Sequence, residues 1–357
     1  MTNERKKILV ALSGGVDSAV AAARLLKQGH EVVGVFFRFF GADTVNTQVK
    51  KIAKKLGIPL KIVDARKEFK KSVIDYFLNA YKTGTTPNPC VVCNKEMKFR
   101  LMFELMKKFD ADYVATGHYA RLGRKIPNPK SQIPNKSKLL ITNYKLLAAN
   151  DKSKDQSYFL YRLAQKDLAK IVFPLGDYEK TEVKRMAKKL KLPVSKDESQ
   201  DICFLGGKPI SEFLKKRVKW VKGEIMDIKG NKLGVHKGLP FYTLGQRKGI
   251  EIGGAGPYFV IGKNVRKNEL IVSNDEKKLL TKKFIINKAN WVDREIKFPL
   301  EAQVQTRYHA EKFSATIKKG KNSEYTVETK KPLRAVTPGQ SAVFYRKGEA
   351  LGGGIIL

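Results

Sequence analysis

The chain has 357 residues, of which 71 are Lys or Arg and 34 are Asp or Glu, so its formal net charge is +37. Its length is typical of more than one domain, and an apolar share of 42% excludes an intrinsically disordered chain. Three cysteines, an odd number, argue against a secreted disulfide scaffold. Because the apolar runs are too short for a membrane span or a signal peptide, we expect a cytoplasmic protein without a membrane partner.

In chain order, the first half of the sequence alternates predicted strands with predicted helices. The predicted strands are residues 8–12, 31–37, 60–63 and 113–116. The predicted helices are residues 17–28, 44–56, 66–81, 95–109, 156–163 and 179–190. Residues 123–138 are polar and contain three prolines, which predicts a loop or insertion. The alternation indicates crossover units on a parallel sheet.

Beyond about residue 204, glycines become frequent and apolar residues alternate with polar ones in short runs. The clearest runs are residues 284–286, 302–306, 314–317, 325–328 and 341–345. Turns are expected at Pro332 and at Pro338-Gly339. This pattern predicts an antiparallel β-barrel. The predicted fold class is therefore α/β plus β, with a parallel-sheet domain over 1–205, a small central domain over 206–280 and a C-terminal antiparallel β-barrel over 281–357.

The positive charge has two interpretations. A pI near 10.0 is typical of proteins that bind a polyanion, because neutralising phosphates releases counterions. The alternative is a generally lysine-rich proteome, in which residues such as Lys184 and Lys188 lie on a solvated helix face. Residues 113–150 favour nucleic acid, since they include seven basic residues and no Asp or Glu.

The hexapeptide Ser13-Gly14-Gly15-Val16-Asp17-Ser18 lies between the first predicted strand and helix. Adjacent glycines let the backbone turn tightly and bring N–H groups close to an anion, and the helix N-terminus adds a positive dipole. The alternative is a tight strand–helix turn with a Ser or Asp cap. No Lys follows the glycines, unlike in a Walker-type loop. The loop therefore predicts phosphate binding and disfavours transfer of a γ-phosphoryl group.

The cysteines are candidate nucleophiles. Cys90 and Cys93 form a CxxC pair in a proline-rich loop just before a predicted helix, and we expect the helix dipole and Lys95 to lower the pKa of Cys93. Cys203 is a candidate catalytic partner far along the chain. The alternatives are buried or incidental thiols and a zinc site, for which three cysteines fall short of four ligands.

Several separate segments carry a family resemblance. They are residues 13–18, 85–89, 93–96, 115–121, 154–160, 202–204, 242–247, 307–308 and 338–340. In this order they resemble the tRNA-specific 2-thiouridylase family over essentially the whole chain. Residues 13–18 also resemble the signature of the PP-loop ATP pyrophosphatases, which cleave ATP between its α- and β-phosphates. The resemblance implies a PP-loop (adenine-nucleotide α-hydrolase-like) catalytic domain, a central tRNA-binding domain and the C-terminal barrel.

The resemblance implies ATP-dependent 2-thiolation of the wobble uridine (U34) of tRNA. In this family, O2 of the uracil is adenylated and sulfur from a cysteine persulfide attacks C2, which yields 2-thiouridine, AMP and pyrophosphate. The implied cofactors are ATP and Mg²⁺. The implied partners are tRNAs for Lys, Glu and Gln and a sulfur donor, either a cysteine desulfurase or a sulfur-relay protein.

The family's site residues carry over onto named positions. The implied ATP contacts are Ala11, Leu12, Ser13, Gly14, Gly15, Val16, Asp17, Ser18, Phe37 and Gly117. The implied contacts to the target base are Asn88, Pro89 and Cys90. The implied tRNA contacts are His118, Lys154, Asp155, Gln156, Arg307, Tyr308 and Gln340.

The resemblance also assigns roles to the thiols. Cys203 matches the persulfide carrier, and Cys93 matches the second catalytic thiol, which releases the sulfur and is left disulfide-bonded to Cys203. Cys90 stands where many members have Asp, a proposed general acid/base, and a thiol is a weaker base. The alternative is that all three cysteines ligate a [4Fe–4S] cluster.

Two other functions stay open at this point. A PP-loop ligase that forms an amide or lysidine would use the adenylate without any thiol. A tRNA-binding protein without catalysis would bind tRNA and release no pyrophosphate from ATP.

Overall fold

The computed structural model describes residues 4–41, 47–125, 143–194, 202–250, 252–253, 256–292 and 296–357. The strands of its first region are β1 Lys7–Ala11, β2 Glu31–Arg38, β3 Leu60–Asp64, β4 Tyr113–Ala115, β5 Ala120–Lys125, β6 Asn143–Ala148 and β7 Ile171–Val172. The helices of this region are α1 Val16–Lys27, α2 Thr47–Leu56, α3 Arg66–Phe69, α4 Asp75–Lys82, α5 Pro89–Val92, α6 Arg100–Lys108, α7 Gln165–Leu168 and α8 Lys180–Lys189. A π-helical turn over Lys70–Ile74 joins α3 to α4, and another over Cys93–Phe99 joins α5 to α6.

The strands β3, β2, β1, β4 and β7 form a parallel sheet in that order. The central strand β1 is apolar because helices cover both faces of the sheet. Leu9 packs in a core that includes side chains of α3 and α6, and Val10 packs in a second core with side chains of α1 and α2. Since β1 and β4 are parallel neighbours, the loops that follow them meet at one edge of the sheet.

The second region is a small sheet preceded by helix α9 Ile210–Lys215. Its strands are β8 Gly223–Met226, β9 Lys232–His236, β10 Phe259–Asn264 and β11 Glu269–Ser273. They lie in the order β10-β11-β8-β9, with β11 parallel to β8 and the other pairs antiparallel. Ile225, Val260 and Leu270 form part of its core.

The third region is a closed antiparallel barrel. Its strands are β12 Leu280–Trp291, β13 Leu300–Gln305, β14 Phe313–Lys319, β15 Tyr325–Arg334, β16 Ser341–Arg346 and β17 Glu349–Ile356. They pair in the order β12-β15-β14-β13-β16-β17, and β17 pairs back onto β12, which closes the barrel. Phe284, Val304 and Phe344 pack in its core. The predicted parallel sheet and antiparallel barrel are confirmed.

The hairpin β5–β6 joins the first region to the barrel. Strand β6 pairs with β17 through Leu146 and Ala350, so the barrel sheet continues into the hairpin. Residues 123–125 therefore belong to a strand, and the loop predicted over 123–138 begins too early. The rest of that predicted loop, like residues 44–46 of a predicted helix, lies outside the described residues.

Two further predictions from the sequence were wrong. Residues 156–163 form only a 3₁₀ turn over Ser157–Phe159, because the Asp155 carboxylate accepts the backbone N–H groups of Ala149 and Ser157, both at 3.1 Å. Pro332 lies inside β15, where the β12–β15 ladder shifts register and tolerates a missing N–H. In the part of the chain that is described, no helix has the length and apolar character that crossing a bilayer requires.

Candidate active site

A cavity of about 1240 Å³ lies at the sheet edge where β1 and β4 end. The loop after β1 lines it with Ser13, Gly14, Gly15, Val16 and Asp17. The three cysteines, Cys90, Cys93 and Cys203, line the same cavity. Folding therefore brings the predicted phosphate loop and all three thiols, which are far apart in the sequence, into one space.

The loop after β1 is shaped for an anion. Gly14 has φ +92°, in the left-handed region that favours glycine. The Ser18 hydroxyl accepts the Ser13 N–H at 3.1 Å and donates to the Gly15 carbonyl at 3.2 Å, which holds the turn. No side chain caps α1, so N–H groups of its first turn are left for a bound phosphate.

Lys180 supplies the cation that the loop's own sequence lacks. Its Nζ lies 2.7 and 2.8 Å from the two carboxylate oxygens of Asp17, and the Tyr119 hydroxyl donates to the same carboxylate at 2.9 Å. Lys180 is only 9% exposed and lines the cavity. Lys180 is 163 residues from Asp17, so no local sequence pattern indicates that they pair. In the sequence it looks like the other lysines of α8, which are solvated.

Several predicted ATP residues lie outside the cavity lining and act as its support. They are Ala11, Leu12, Ser18, Phe37 and Gly117. Leu12 is buried in the core beneath the sheet edge, and Phe37 stacks on Phe39 with ring centroids 5.4 Å apart. A Cβ on Gly117 would lie 2.7 Å from the Ser18 backbone N, so this glycine lets the loop after β4 pack against the first turn of α1.

Gly117→Ala is expected to lower the free energy of unfolding by about 1–3 kcal/mol, because backbone atoms, which cannot swing away, meet the new methyl group. The midpoint of urea denaturation measures this change. Gly262→Ala is the matched control, since its Cβ would meet Ile271 at an ordinary 3.8 Å. Equal effects of the two substitutions would contradict this account of Gly117.

The expected activation of Cys93 by its surroundings was wrong. The Asn88 side chain caps α5 by accepting the Val91 N–H at 3.3 Å, and Pro89 opens the helix, so Cys90 and Cys93 are helical rather than in a loop. Lys95 lies 2.6 Å from Asp167 and is paired there. Burial raises the pKa of Cys93 to about 12 and that of Cys90 to about 11, and the charge of Lys98 opposes this effect.

Cys203 reaches the cavity from the 3₁₀ turn over Cys203–Leu205. The ring of the next residue, Phe204, packs edge-on against Phe69 and Phe77 at 5.9 and 5.3 Å, which anchors the turn. The Cys203 side chain is exposed to the cavity, but the protein around it shields it from much of the solvent. This burial raises the pKa of Cys203, and the charge of Lys98 opposes the effect. All three cysteines are free thiols.

The described residues do not fit an iron–sulfur cluster in this arrangement. Among them, no group of three or more His, Cys, Asp or Glu side chains is placed to hold a metal ion. We therefore derive no step through a cluster.

Thiol-specific alkylation is expected to follow these environments. At neutral pH iodoacetamide should modify Cys203 first, because it is exposed, and Cys90 and Cys93 slowly, because their raised pKa values keep them protonated. The alkylation rates of Cys90 and Cys93 should keep rising at pH values above those at which an ordinary thiol is already fully ionised. Mass spectrometry of peptides from native and urea-unfolded protein measures this order, and equal native rates at all three positions would contradict it.

Three family models cover nearly the whole chain. A tRNA methyl transferase HUP domain matches residues 6–207, and a tRNA methyl transferase PRC-barrel domain matches residues 211–274. An aminomethyltransferase beta-barrel domain matches residues 281–356. These matches agree with the parallel sheet, the small second sheet and the closed barrel.

Curated relatives match the chain from end to end. The tRNA-specific 2-thiouridylase MnmA of Idiomarina loihiensis is 39% identical over 377 residues, which cover 100% of this chain and 97% of the relative. The MnmA proteins of Chloroflexus aggregans and Carboxydothermus hydrogenoformans are 40% and 39% identical and cover 98% and 99% of this chain and 98% of each relative. The chain belongs to the tRNA-specific 2-thiouridylase family. The predicted family, fold class and enzymatic nature are confirmed.

In this 2-thiouridylase family member, the residues predicted to contact tRNA divide into two groups. Those that line the cavity are His118, Lys154, Gln156, Tyr308 and Gln340. Asp155 and Arg307 lie outside its lining, and Asp155 organises the turn before Ser157. The predicted base contacts Asn88, Pro89 and Cys90 all line the cavity.

Two of these side chains are engaged within the protein. His118 Nδ1 lies 2.8 Å from Thr116 Oγ1, and burial holds the pKa of His118 well below its usual value, so the ring is neutral. Gln340 Nε2 donates to the carbonyl oxygens of Thr86 and Pro87 at 2.9 and 3.2 Å. Gln340 therefore ties the barrel to the segment that leads into α5.

Lys98, Asn94 and Phe159 line the cavity and were missed from the sequence. Lys95 is nearer to Cys93 in the chain, but the turn over Cys93–Phe99 is π-helical, and such a turn brings residue i+5 back beside residue i. Lys98 rather than Lys95 is therefore the cation at the thiols. The position of Lys98 beside the thiols follows from the π-helical turn, and the sequence pattern does not predict that turn.

Proposed function

We propose that this family member thiolates C2 of the wobble uridine (U34) of tRNA in an ATP-dependent reaction that yields 2-thiouridine, AMP and pyrophosphate. The observation that carries the proposal is the single cavity lined by both the loop after β1 and the three thiols. Adenylation and sulfur transfer act on the same carbon–oxygen bond, so they require both sets of groups in one space. The family membership supports tRNA as the substrate, and the net charge of +37 suits a polyanion.

The first step activates the base. Uracil O2 attacks the α-phosphorus of ATP, the bond between the α- and β-phosphates breaks, pyrophosphate leaves, and N3 of the base releases its proton to water. The uncapped N–H groups of the first turn of α1 and the cavity-lining Lys180 ammonium would stabilise the phosphates. The Ser13 hydroxyl and the Asp17 carboxylate are oxygen donors suited to Mg²⁺, which supplies further neutralisation of the pyrophosphate when bound.

The second step transfers sulfur. The terminal sulfur of a persulfide on Cys203 attacks C2, and AMP leaves with O2. The Cys93 thiolate then attacks Sγ of Cys203 and breaks the persulfide bond, which frees the thiolated base and leaves a Cys93–Cys203 disulfide. The two electrons lost by the thiols reduce the sulfane sulfur, and an external dithiol must reduce the disulfide before the next turnover.

We propose supporting parts for Lys98 and Cys90, which both line the cavity. The Lys98 charge favours the thiolate form of each cysteine and offsets part of the effect of burial, which raises the pKa of Cys93 to about 12 with that charge in place. Burial raises the pKa of Cys90 to about 11, so at neutral pH it is a protonated thiol and not a general base. We propose a cysteine desulfurase or a relay protein as the sulfur donor, and the tRNAs for Lys, Glu and Gln as substrates. We also propose that the three domains span residues 1–205, 206–280 and 281–357.

The test combines the purified protein with MgATP, an unmodified tRNA transcript, a cysteine desulfurase, cysteine and a dithiol. We expect 2-thiouridine at position 34, with one AMP and one pyrophosphate for each thiolated base, by mass spectrometry. A ligase would release AMP and pyrophosphate without thiouridine and would tolerate serine at all three cysteines. A tRNA-binding protein would retain tRNA and release no pyrophosphate. Either result would refute the proposal.

A further inference from the structure

Asn94 is a buried side chain in the cavity wall whose carbonyl oxygen has no hydrogen-bond partner. Asn94 follows Cys93 in the chain. It lines the cavity and is only 5% exposed. Its Oδ1 finds no donor among the residues that the structure describes. Native proteins rarely leave a buried carbonyl oxygen unpaired, because the lost hydration is costly. In a cavity built for a substrate, such an oxygen marks a place for a donor on the bound molecule.

The other end of the Asn94 amide fixes its orientation. Nδ2 donates a long hydrogen bond, 3.5 Å, to the backbone carbonyl of Phe159. Turning the amide over would set Oδ1 against that carbonyl oxygen, with two sets of lone pairs facing each other. The unpaired end is therefore the oxygen, so Asn94 offers a ligand a hydrogen-bond acceptor at Oδ1.

Phe159 connects this acceptor to an aromatic surface. The rings of Phe159 and Tyr308 have centroids 4.4 Å apart, and both residues line the cavity. Aromatic side chains are the surfaces on which proteins stack a base that has been flipped out of RNA. A hydrogen-bond acceptor, an aromatic pair and the Cys93 thiol therefore occur together in one wall of the cavity.

We propose that Asn94 Oδ1 accepts the N3–H of the target uracil and thereby selects uridine over cytidine, an inference that rests on the proposed function. Uracil and cytosine share the C2 carbonyl, so the chemistry at C2 does not distinguish them. They differ at N3, the atom bonded to C2, which carries a hydrogen in uracil and a lone pair in cytosine. Cytosine would set its lone pair against Oδ1 and leave both acceptors unpaired.

The position of Asn94 also suits this contact. Because N3 is bonded to C2, a base whose C2 meets the thiols presents its N3–H close to them, and Asn94 directly follows Cys93. As O2 forms its bond to phosphorus, positive charge develops on the ring and makes N3–H a stronger donor, and the proton leaves N3 for water once the neutral adenylate has formed. The hydrogen bond therefore strengthens as the base is activated, which favours the transition state over the ground state.

The test compares two tRNA transcripts that differ only in U or C at the wobble position. Mass spectrometry gives kcat/KM for 2-thiouridine and 2-thiocytidine, and their ratio is the readout. Asn94→Leu removes the acceptor and is expected to lower the ratio by roughly 5- to 150-fold. Asn94→Asp keeps an acceptor and should keep the ratio even if its charge slows both reactions. Asn79→Leu, on the exposed face of α4, is the matched control and should leave rates and ratio unchanged.

The ratio separates selection from a general loss of activity. If Asn94→Leu fails to fold, Asn94→Ser provides the same comparison, because its hydroxyl ends short of the position of Oδ1. A folded Leu or Ser variant that keeps the wild-type ratio overturns the role of Asn94 and leaves the proposed function standing. A wild-type protein that makes no 2-thiouridine under these conditions overturns the proposed function itself.

Discussion

Cys203→Ser is expected to reduce 2-thiouridine formation by at least about a thousand-fold while pyrophosphate release from ATP continues. The substitution removes the proposed persulfide carrier and leaves unchanged the loop after β1 and Lys180, which are proposed to hold the phosphates. Adenylation of the base should therefore proceed, and sulfur transfer should not. Parallel assays of pyrophosphate and of 2-thiouridine in the same reaction measure the separation of the two steps.

Cys93→Ser is the matched comparison for Cys203→Ser. It keeps the proposed persulfide carrier Cys203 but removes the thiol proposed to cleave the persulfide bond, so the base should remain attached to Cys203 through a disulfide. A denaturing gel should show a covalent tRNA–protein adduct that a dithiol releases. Cys203→Ser should show no such adduct. Loss of pyrophosphate release in both variants, or an adduct in the Cys203 variant, would contradict the assigned roles.

Lys180→Met is expected to lower the rate of pyrophosphate release by about 100- to 1000-fold. The substitution removes a cation from the phosphate site and leaves the Asp17 carboxylate unneutralised, where it repels ATP. The free energy of unfolding should also fall, by about 1–3 kcal/mol, because the ion pair is mostly buried but Asp17 keeps some contact with solvent. Kinetics of pyrophosphate release and urea denaturation measure the two effects.

A double variant distinguishes these effects. Lys180→Met with Asp17→Asn removes both charges, so stability should largely recover while pyrophosphate release stays low. Lys188→Met, on the exposed face of α8, is the control and should behave as wild type. Recovery of pyrophosphate release in the double variant would show that Lys180 serves only to neutralise Asp17.

The sequence predicted those elements whose pattern is local and strong. Predicted residues 8–12 and 17–28 differ from β1 and α1 by one residue at each end. Both segments have continuous apolar or helically spaced residues, and the Gly14-Gly15 turn separates them. The tight turn after β1 was predicted for the same reason, because a short motif contains its whole geometry.

The sequence did not predict features that depend on tertiary contacts. The pairing of β6 with β17 follows from a register between distant segments, which no local pattern specifies. The contact between Lys180 and Asp17 exists only after α8 packs on α1. The thiols show the same limit, because the sequence predicts a lowered pKa for Cys93 from a nearby helix start and Lys95, whereas burial, which the sequence does not show, raises that pKa.

The most direct test of the central claim follows the oxygen that is lost from the base. A tRNA carrying oxygen-18 at O2 of the wobble uridine is thiolated with unlabelled ATP, and mass spectrometry locates the heavy isotope. If O2 is adenylated and then displaced by sulfur in one cavity, the label appears in the phosphate of AMP and is absent from pyrophosphate. Heavy oxygen in water or in pyrophosphate, with unlabelled AMP, would contradict the account.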